Sequence, residues 1–133
     1  MDGRIEKEVE ILRSFYPKVT YIESGQWVLI EDYPIPPGLL WNREKTSVCF
    51  QIPAAYPGAP PYGFYVPSSI LYEGKRPSNY QEPSHNKPLF PPDIWGLFSW
   101  TQESGWRATG DPHSGSNLLG FVRTFKDRFQ EGR

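Results

Sequence analysis

The chain has 133 residues, a length typical of a single domain, and a chain of this size can bury roughly two thirds of its unfolded surface. Aromatic residues make up 16% of the sequence, whereas disordered chains are poor in them, so we expect one folded domain over residues 1–133. The formal net charge is -1, from 14 Lys and Arg against 15 Asp and Glu. Because basic residues do not outnumber acidic ones, we do not expect the chain to bind nucleic acid or anionic lipid.

The proline distribution predicts where helices lie, because proline clashes with the preceding helical turn. Fourteen of the 15 prolines fall within residues 17–92, which leaves one segment on each side of this belt. In the N-terminal segment, apolar residues recur with helical spacing from Ile5 to Tyr16. Asp2 is a candidate cap for the start of this helix, and Pro17 is expected to end it.

The segment beyond the proline belt predicts a C-terminal helix with the same spacing. Its apolar stripe consists of Leu118, Val122, Phe125 and Phe129. Ser116 is a candidate N-cap and Gly132 a candidate C-terminal stop. Basic residues crowd the second half of this segment, where the helix dipole favours cations.

Four strands are predicted between the helices, at residues 19–22, 27–30, 46–52 and 64–66. The first two flank Ser24-Gly25, a reasonable hairpin turn. The third alternates, with Val48, Phe50 and Ile52 on one face. Residues 68–112 follow as an irregular stretch whose length is typical of a functional loop. The sequence therefore predicts an α+β fold: an N-terminal helix, a four-stranded antiparallel meander sheet with one face covered by helices, a long irregular flap and a C-terminal helix.

The residues that report on compartment and metal binding point to a cytoplasmic protein. A single cysteine excludes an intramolecular disulfide and a multi-cysteine metal cage, and it suits a reducing compartment. The start of the chain has no apolar signal segment, and no run approaches the about eighteen apolar residues of a membrane span. His85 and His113 lack the spacing of metal ligands. We therefore expect no membrane partner, no metal and no cofactor.

One motif resembles a known superfamily. The third predicted strand runs into Tyr56-Pro57-Gly58-Ala59-Pro60-Pro61, which is followed by the fourth strand. This resembles the Tyr-Pro-x-x-Pro-Pro signature of ubiquitin-conjugating (UBC) enzymes and the related RWD domains. Those proteins share the order helix, meander, motif, irregular flap, tryptophan and helix, which here covers nearly the whole chain. The resemblance implies a UBC-like fold.

A closer resemblance is to the prokaryotic ubiquitin-conjugating-like family E. That family has a Trp-x-x-aromatic-Ser stretch before a Trp-Arg pair and the final helix, and the matching residues here are Trp95 to Ser99, Trp106-Arg107 and Asn117-Leu118-Leu119. Membership implies a transferase that accepts a ubiquitin-like protein from an activating enzyme, in bacterial conjugation operons often linked to phage defence. The implied partners are the activating enzyme and the ubiquitin-like protein. The first helix would be the docking face for the activating enzyme, with Arg4, Lys7, Glu8 and Arg13 available for contact. Alternatively, these charges only solvate the exposed side of the helix.

The chain departs from the family at the nucleophile. Most members have His-Pro-Asn and, about ten residues later, a cysteine that accepts the ubiquitin-like C-terminus as a thioester, and this chain has neither. Cys49 lies far upstream within a predicted strand, where we expect a small packed residue. The family's usual spacing from Trp106 leads to Phe98 or Ser99. Ser99 is therefore the candidate nucleophile, forming an oxyester, with Thr101 and Ser104 as the fallbacks. Alternatively, Ser99 is only a turn hydroxyl.

A serine nucleophile needs a neighbouring base, since its hydroxyl is a poor nucleophile on its own. His113 is the candidate base, with Asp111 two residues away to orient its imidazole. Asn86, which with His85 loosely resembles part of the missing His-Pro-Asn, is a candidate oxyanion donor. Alternatively, His113 is a surface residue in a polar turn. Two other functions stay open: a non-catalytic UBC/RWD-like adaptor, and a stand-alone hydrolase for which no nucleophile motif is present.

Overall fold

The structure, a computed structural model, describes residues 3–61, 63–67, 70–75, 80–81, 95–98, 106–111 and 113–131. Within these residues it has the predicted α+β architecture, with an N-terminal helix, an antiparallel sheet and helical structure at the C-terminal end. The elements are α1 (Arg4–Phe15), β1 (Lys18–Ile22), β2 (Trp27–Pro34), β3 (Lys45–Gln51), β4 (Phe64–Pro67), β5 (Tyr80–Gln81), β6 (Trp95–Phe98), α2 (Leu118–Arg123) and α3 (Phe125–Glu131). None of the helices in these ranges is long and apolar enough to cross a membrane.

The first two strands form the predicted hairpin, and the second strand is longer than expected. Gly25 and Gln26 turn the chain with positive φ angles of 81° and 56°. After Ile30 the register between β2 and β3 shifts by one residue, and Asp32 at the shift also has a positive φ, of 59°. Val28 and Ile30 point into the core, so simple alternation would place residue 32 there next. Because of the bulge the next inward side chain is Tyr33, which is 2% exposed. The broken alternation explains why the predicted strand stopped at residue 30.

The sheet has six strands among the described residues, in the order β1-β2-β3-β4-β6-β5. The predicted antiparallel meander of the first four strands is confirmed, but the predicted count of four strands is wrong. Strand β6 pairs antiparallel with β4, with Phe64 opposite Phe98 and Pro67 opposite Trp95. The expectation of an irregular flap over all of residues 68–112 is therefore wrong as well. Strand β6 is four residues long and contains Gly96, and β5 has only two residues. Glycine is depleted in strands, and two residues are too few to show alternation, so the sequence pattern predicts neither strand.

The C-terminal segment forms two short helices instead of the single predicted one. They are separated by Thr124, whose hydroxyl donates a 2.6 Å hydrogen bond to the carbonyl of Phe121 and thereby competes with the helical ladder. The N-cap of α2 is Asn117, whose side chain accepts a hydrogen bond from the Gly120 amide. The prediction of Ser116 as the cap is wrong, because its hydroxyl instead accepts a bond from the Arg107 amide.

At the first helix, the N-cap position belongs to Gly3, which makes no side-chain cap bond. Asp2, the predicted cap, lies outside the described residues, and so does Gly132. The helix ends before Pro17, as predicted, with Tyr16 in an extended conformation.

The main core lies between the helices and one face of the sheet. Val48, Phe50 and Ile52 all point into it, which confirms the predicted face of β3. Aromatic rings dominate: Phe64 of β4 stacks on Phe125 of α3 with 3.9 Å between ring centroids. The opposite face of the sheet carries a smaller buried cluster of Trp27, Leu29, Cys49, Tyr65 and Trp95. Both faces of the sheet therefore bury apolar side chains.

A buried glutamate joins three distant parts of the chain. Glu8 is 1% exposed. One carboxylate oxygen accepts hydrogen bonds from the Tyr56 hydroxyl and the Leu118 amide, each at 2.6 Å, and the other accepts one from Arg4 at 2.7 Å. Burial, followed by the bond to Glu8, raises the pKa of Tyr56, so its hydroxyl stays a donor. The expectation that Glu8 is available for contact on α1 is wrong, because its carboxylate faces inward.

We predict that Glu8→Ala lowers the free energy of unfolding by about 3 kcal/mol, because it leaves the Arg4 guanidinium and two buried donors without their shared acceptor. Urea unfolding followed by circular dichroism measures the change. Glu10→Ala is the matched control, since Glu10 is on the same helix with a side chain 68% exposed, and it should change the free energy by less than about 0.5 kcal/mol. Equal effects of the two substitutions would contradict the role assigned to Glu8.

Candidate functional site

The two features that suggested the UBC resemblance are in contact, although they come from different halves of the chain. The Trp106 indole N–H donates a 2.8 Å hydrogen bond to the Pro57 carbonyl. The Trp106 and Tyr56 rings pack with centroids 5.8 Å apart. On its other side, Tyr56 is held by Glu8 through its hydroxyl. The turn that follows β3 is thus fixed between α1 and the segment leading to α2.

The end of β6 is the described point nearest in sequence to the candidate nucleophile. Of the two positions given by the family spacing, Phe98 is fully buried, and its ring contacts Phe64 and the Arg128 guanidinium at 4.1 Å. Gly63 lies directly beside it with φ at 73°, and a Cβ there would come within 2.9 Å of the Phe98 carbonyl oxygen. Phe98 is therefore a core residue.

Several of the candidate catalytic residues lie outside the described residues. These are Ser99, Thr101, Ser104 and Asn86. Their predicted roles as nucleophile, fallback nucleophile and oxyanion donor stay predictions. The residues that bracket the candidate nucleophile in sequence, Phe98 and Trp106, are both anchored by the contacts given above.

The structure brings His113 and Asp111 together. The Asp111 carboxylate accepts a 2.9 Å hydrogen bond from the His113 amide and lies 3.4 Å from the imidazole Nδ1. The hydrogen bond from the His113 backbone amide is the main reason that the pKa of Asp111 is lowered, and the imidazole lowers it further. Both side chains are largely exposed, at 71% for His113 and 63% for Asp111. The carboxylate therefore lies beside the imidazole, and its shorter hydrogen bond closes a turn, while its role in orienting the imidazole stays a prediction.

The surroundings of His113 differ from those of Phe98. His113 and one side of α1, including Glu6 and Glu10, line a shallow pocket of about 380 Å³. The loop that bears His113 is tied to α1, because the Arg4 guanidinium donates to the Thr109 carbonyl. Phe98 packs instead against Trp41 and α3. The described contacts around His113 are those of a surface turn on the α1 side of the domain.

Cys49 is a packed residue in the middle of β3, as predicted. It is 0% exposed and belongs to the small cluster on the sheet face opposite the helices. Burial raises the pKa of its thiol, which suppresses the thiolate that nucleophilic attack requires. The one thiol of the chain is therefore not positioned to accept an acyl group.

Two features of the described structure were missed by sequence reasoning. Glu8 was assigned to the exposed side of α1, yet it lies three residues after Ile5 and four before Leu12, both of which are buried. That spacing places it on the apolar stripe, which is a signal for a buried carboxylate. The second feature is an open groove beside α3, and no local sequence motif marks it.

Comparison with known proteins gives no match for this chain. No family model matches the chain, and no curated protein or solved structure matches it either. Within the described ranges, no three His, Cys, Asp or Glu side chains are grouped so that they could hold a metal ion. Three parts of the described structure bear on the predicted function: the turn at Tyr56 with Trp106, the end of β6, and the turn that bears His113.

We predict that native Cys49 resists alkylation by iodoacetamide at neutral pH, because it is buried and its thiol pKa is raised. In urea the same residue should be modified quickly. Intact mass spectrometry over time measures both reactions, and Cys49→Ser serves as the blank. Rapid modification of the native protein would contradict the position of Cys49 in β3.

Proposed function

We propose that this chain is a UBC-like domain that accepts a ubiquitin-like protein from an activating enzyme. The proposal includes a bacterial conjugation pathway linked to phage defence, as in the family E proteins it resembles. It is supported chiefly by the contact between the Tyr56-Pro57 turn and Trp106, which joins the two motifs on which the resemblance depends. The α+β order of helix, antiparallel sheet and C-terminal helices is compatible with that fold.

The acyl carrier in this proposal is the Ser99 hydroxyl. Cys49, the one thiol, is buried within the sheet, so a covalent intermediate has to use an oxygen nucleophile. The Ser99 oxygen attacks the activated carboxyl carbon of the ubiquitin-like protein. A C–O bond forms, the bond to the activating enzyme's sulfur breaks, and the hydroxyl proton passes to a base and then to the leaving thiolate. Thr101 is the alternative nucleophile.

His113 is the proposed base, oriented by Asp111, and Asn86 is the proposed donor to the oxyanion. The 3.4 Å approach of the Asp111 carboxylate to the imidazole supports the orienting role. A histidine on an exposed turn has room to approach a hydroxyl once the partner proteins are bound. An oxyester is a less activated donor than a thioester, so we expect slow transfer to an amine acceptor.

A second function is a UBC/RWD-like adaptor that binds the ubiquitin-like protein or the activating enzyme without chemistry. One observation favours it: His113 and Asp111 form an exposed turn packed beside α1, while the Phe98 end of β6 packs in the core against α3. An adaptor needs no contact between the His113 turn and the end of β6, whereas a catalytic base has to reach its nucleophile.

We predict that the protein forms a covalent adduct when incubated with ATP and with an activating enzyme and a ubiquitin-like protein from a family E conjugation operon. Intact mass spectrometry should show an adduct that hydroxylamine cleaves, that Ser99→Ala abolishes and that His113→Ala slows. Ser99→Cys should convert the oxyester to a thioester that dithiothreitol cleaves, since a thiolate is the better nucleophile.

The controls separate the two functions. Cys49→Ala should keep the adduct, because the buried thiol takes no part, and Thr101→Ala tests the alternative nucleophile. An adduct lost only in Cys49→Ala would contradict both the proposal and the position of Cys49. Stable binding with no adduct in any variant would leave the adaptor as the function, and neither binding nor adduct would refute both.

A further inference from the structure

An open groove lies beside the C-terminal helices, and no proposed catalytic residue in the described part of the chain lines it. Its volume is about 410 Å³, within the range of roughly 300–1,000 Å³ typical of ligand sites. One wall is the end of β2 and the loop that follows it, and the other is the exposed side of α2 and α3. We call this feature the proline groove, and its lining residues are Tyr16, Tyr33, Pro34, Ile35, Pro36, Pro37, Arg123, Lys126 and Gln130.

The floor and the strand-side wall of the proline groove are apolar and rigid. The Tyr16 and Tyr33 rings stack with centroids 5.6 Å apart and planes inclined by 21°. The Tyr33 hydroxyl is already bonded to the Val122 carbonyl, so it holds the floor in place. Pro36 and Pro37 have no N–H donors, and their rings restrict the backbone. Apolar and aromatic surfaces fixed in this way bind an extended peptide at a low cost in entropy.

The helix side of the proline groove is positively charged. Arg123 and Lys126 are exposed, three residues apart, and both line the groove. Among the described residues, no aspartate or glutamate lines the groove, and neither cation forms an ion pair. Asp127 follows Lys126 on α3, and its charge acts on Tyr33. The chain as a whole has a net charge of -1, so the local excess of positive charge is a feature of this surface.

An exposed aromatic side chain continues the apolar surface beyond the groove. Phe15, at the end of α1, is 56% exposed, and the Arg123 guanidinium lies over its ring, 4.8 Å from the centroid. Guanidinium groups held flat on aromatic rings stay available for hydrogen bonds to carboxylates. Phenylalanine and arginine are also enriched at protein–protein interfaces relative to the rest of the surface.

We propose that the proline groove binds an extended acidic peptide segment of a partner protein. An apolar side chain of the peptide would rest on Tyr16, and its carboxylates would pair with Arg123 and Lys126. Two cations suit a short acidic segment better than a nucleic acid, which needs several phosphate contacts, or an anionic membrane, which needs clusters of about four to eight basic residues. This binding is independent of the acyl chemistry proposed for Ser99.

A displayed library of random linear peptides, selected on the full chain, tests the proposal. The enriched peptides should contain Asp or Glu beside an aromatic or aliphatic residue. A synthetic copy of the most enriched peptide, labelled with fluorescein, then gives Kd by anisotropy. Arg123→Glu and Lys126→Glu should each raise Kd by about tenfold, and added salt should weaken binding.

Lys75→Glu is the matched control, because Lys75 is an exposed lysine outside the groove and the charge change equals that of Lys126→Glu. It should leave Kd within about twofold, as should Ser99→Ala, which separates a failure here from a failure of the acyl chemistry. Circular dichroism confirms that each variant is folded. The proposal is overturned if no acidic peptide is enriched, or if Lys126→Glu and Lys75→Glu change Kd equally. An oligothymidine and phosphatidylserine vesicles are tested as alternative ligands. Binding of only these ligands, with a loss of binding in Lys126→Glu, would also overturn the proposal.

Discussion

The Glu8 carboxylate is the interaction on which the arrangement of the domain depends. Burying a charge is costly unless it is paired, and here one side chain is satisfied by a guanidinium, a phenol and a backbone amide from three different segments. The amide belongs to Leu118, the first residue of α2, and such amides have no partner within their own helix. One carboxylate thus holds the first turn of α2 against α1 and fixes the orientation of the Tyr56 ring. Trp106 packs on that ring, so the segment before α2 depends on Glu8 as well.

Much of the fold could be predicted from periodicity, and the errors have physical causes. The first helix and the β1–β2 hairpin follow simple patterns, and so does the inward face of β3. The extension of β2 to Pro34 was missed because the bulge at Asp32 reverses the alternation. Strand β6 was missed because its pairing with β4 is a long-range contact and because Gly96, a residue type depleted in strands, lies within it. The break at Thr124 is set by one hydroxyl that bonds to the backbone, which an apolar stripe does not report.

The candidate site was predictable where its contacts are local and less so where they join distant parts of the chain. The pairing of Asp111 with His113 followed from a spacing of two residues, and the packed state of Cys49 followed from its place in a strand. The contact of Trp106 with Pro57 joins residues 49 positions apart, and no local pattern predicts it. The burial of Glu8 was the avoidable error. A glutamate on the apolar stripe was treated as a solvated charge, although its helical phase placed it among buried neighbours.

The two C-terminal helices link the core to the surface on which we propose that a partner binds. Their inward side bears Phe121, Phe125 and Phe129, and Arg128 beside them lies against the Phe98 ring at the end of β6. Their outward side bears Arg123 and Lys126 in the proline groove. Tyr33 connects the two environments, because its ring packs on Phe125 and Phe129 while it also forms part of the groove floor. The floor of the groove is therefore continuous with the aromatic core that holds β6. A ligand in the groove would meet a surface already ordered by the core, so most of its binding energy would not be spent on ordering the protein.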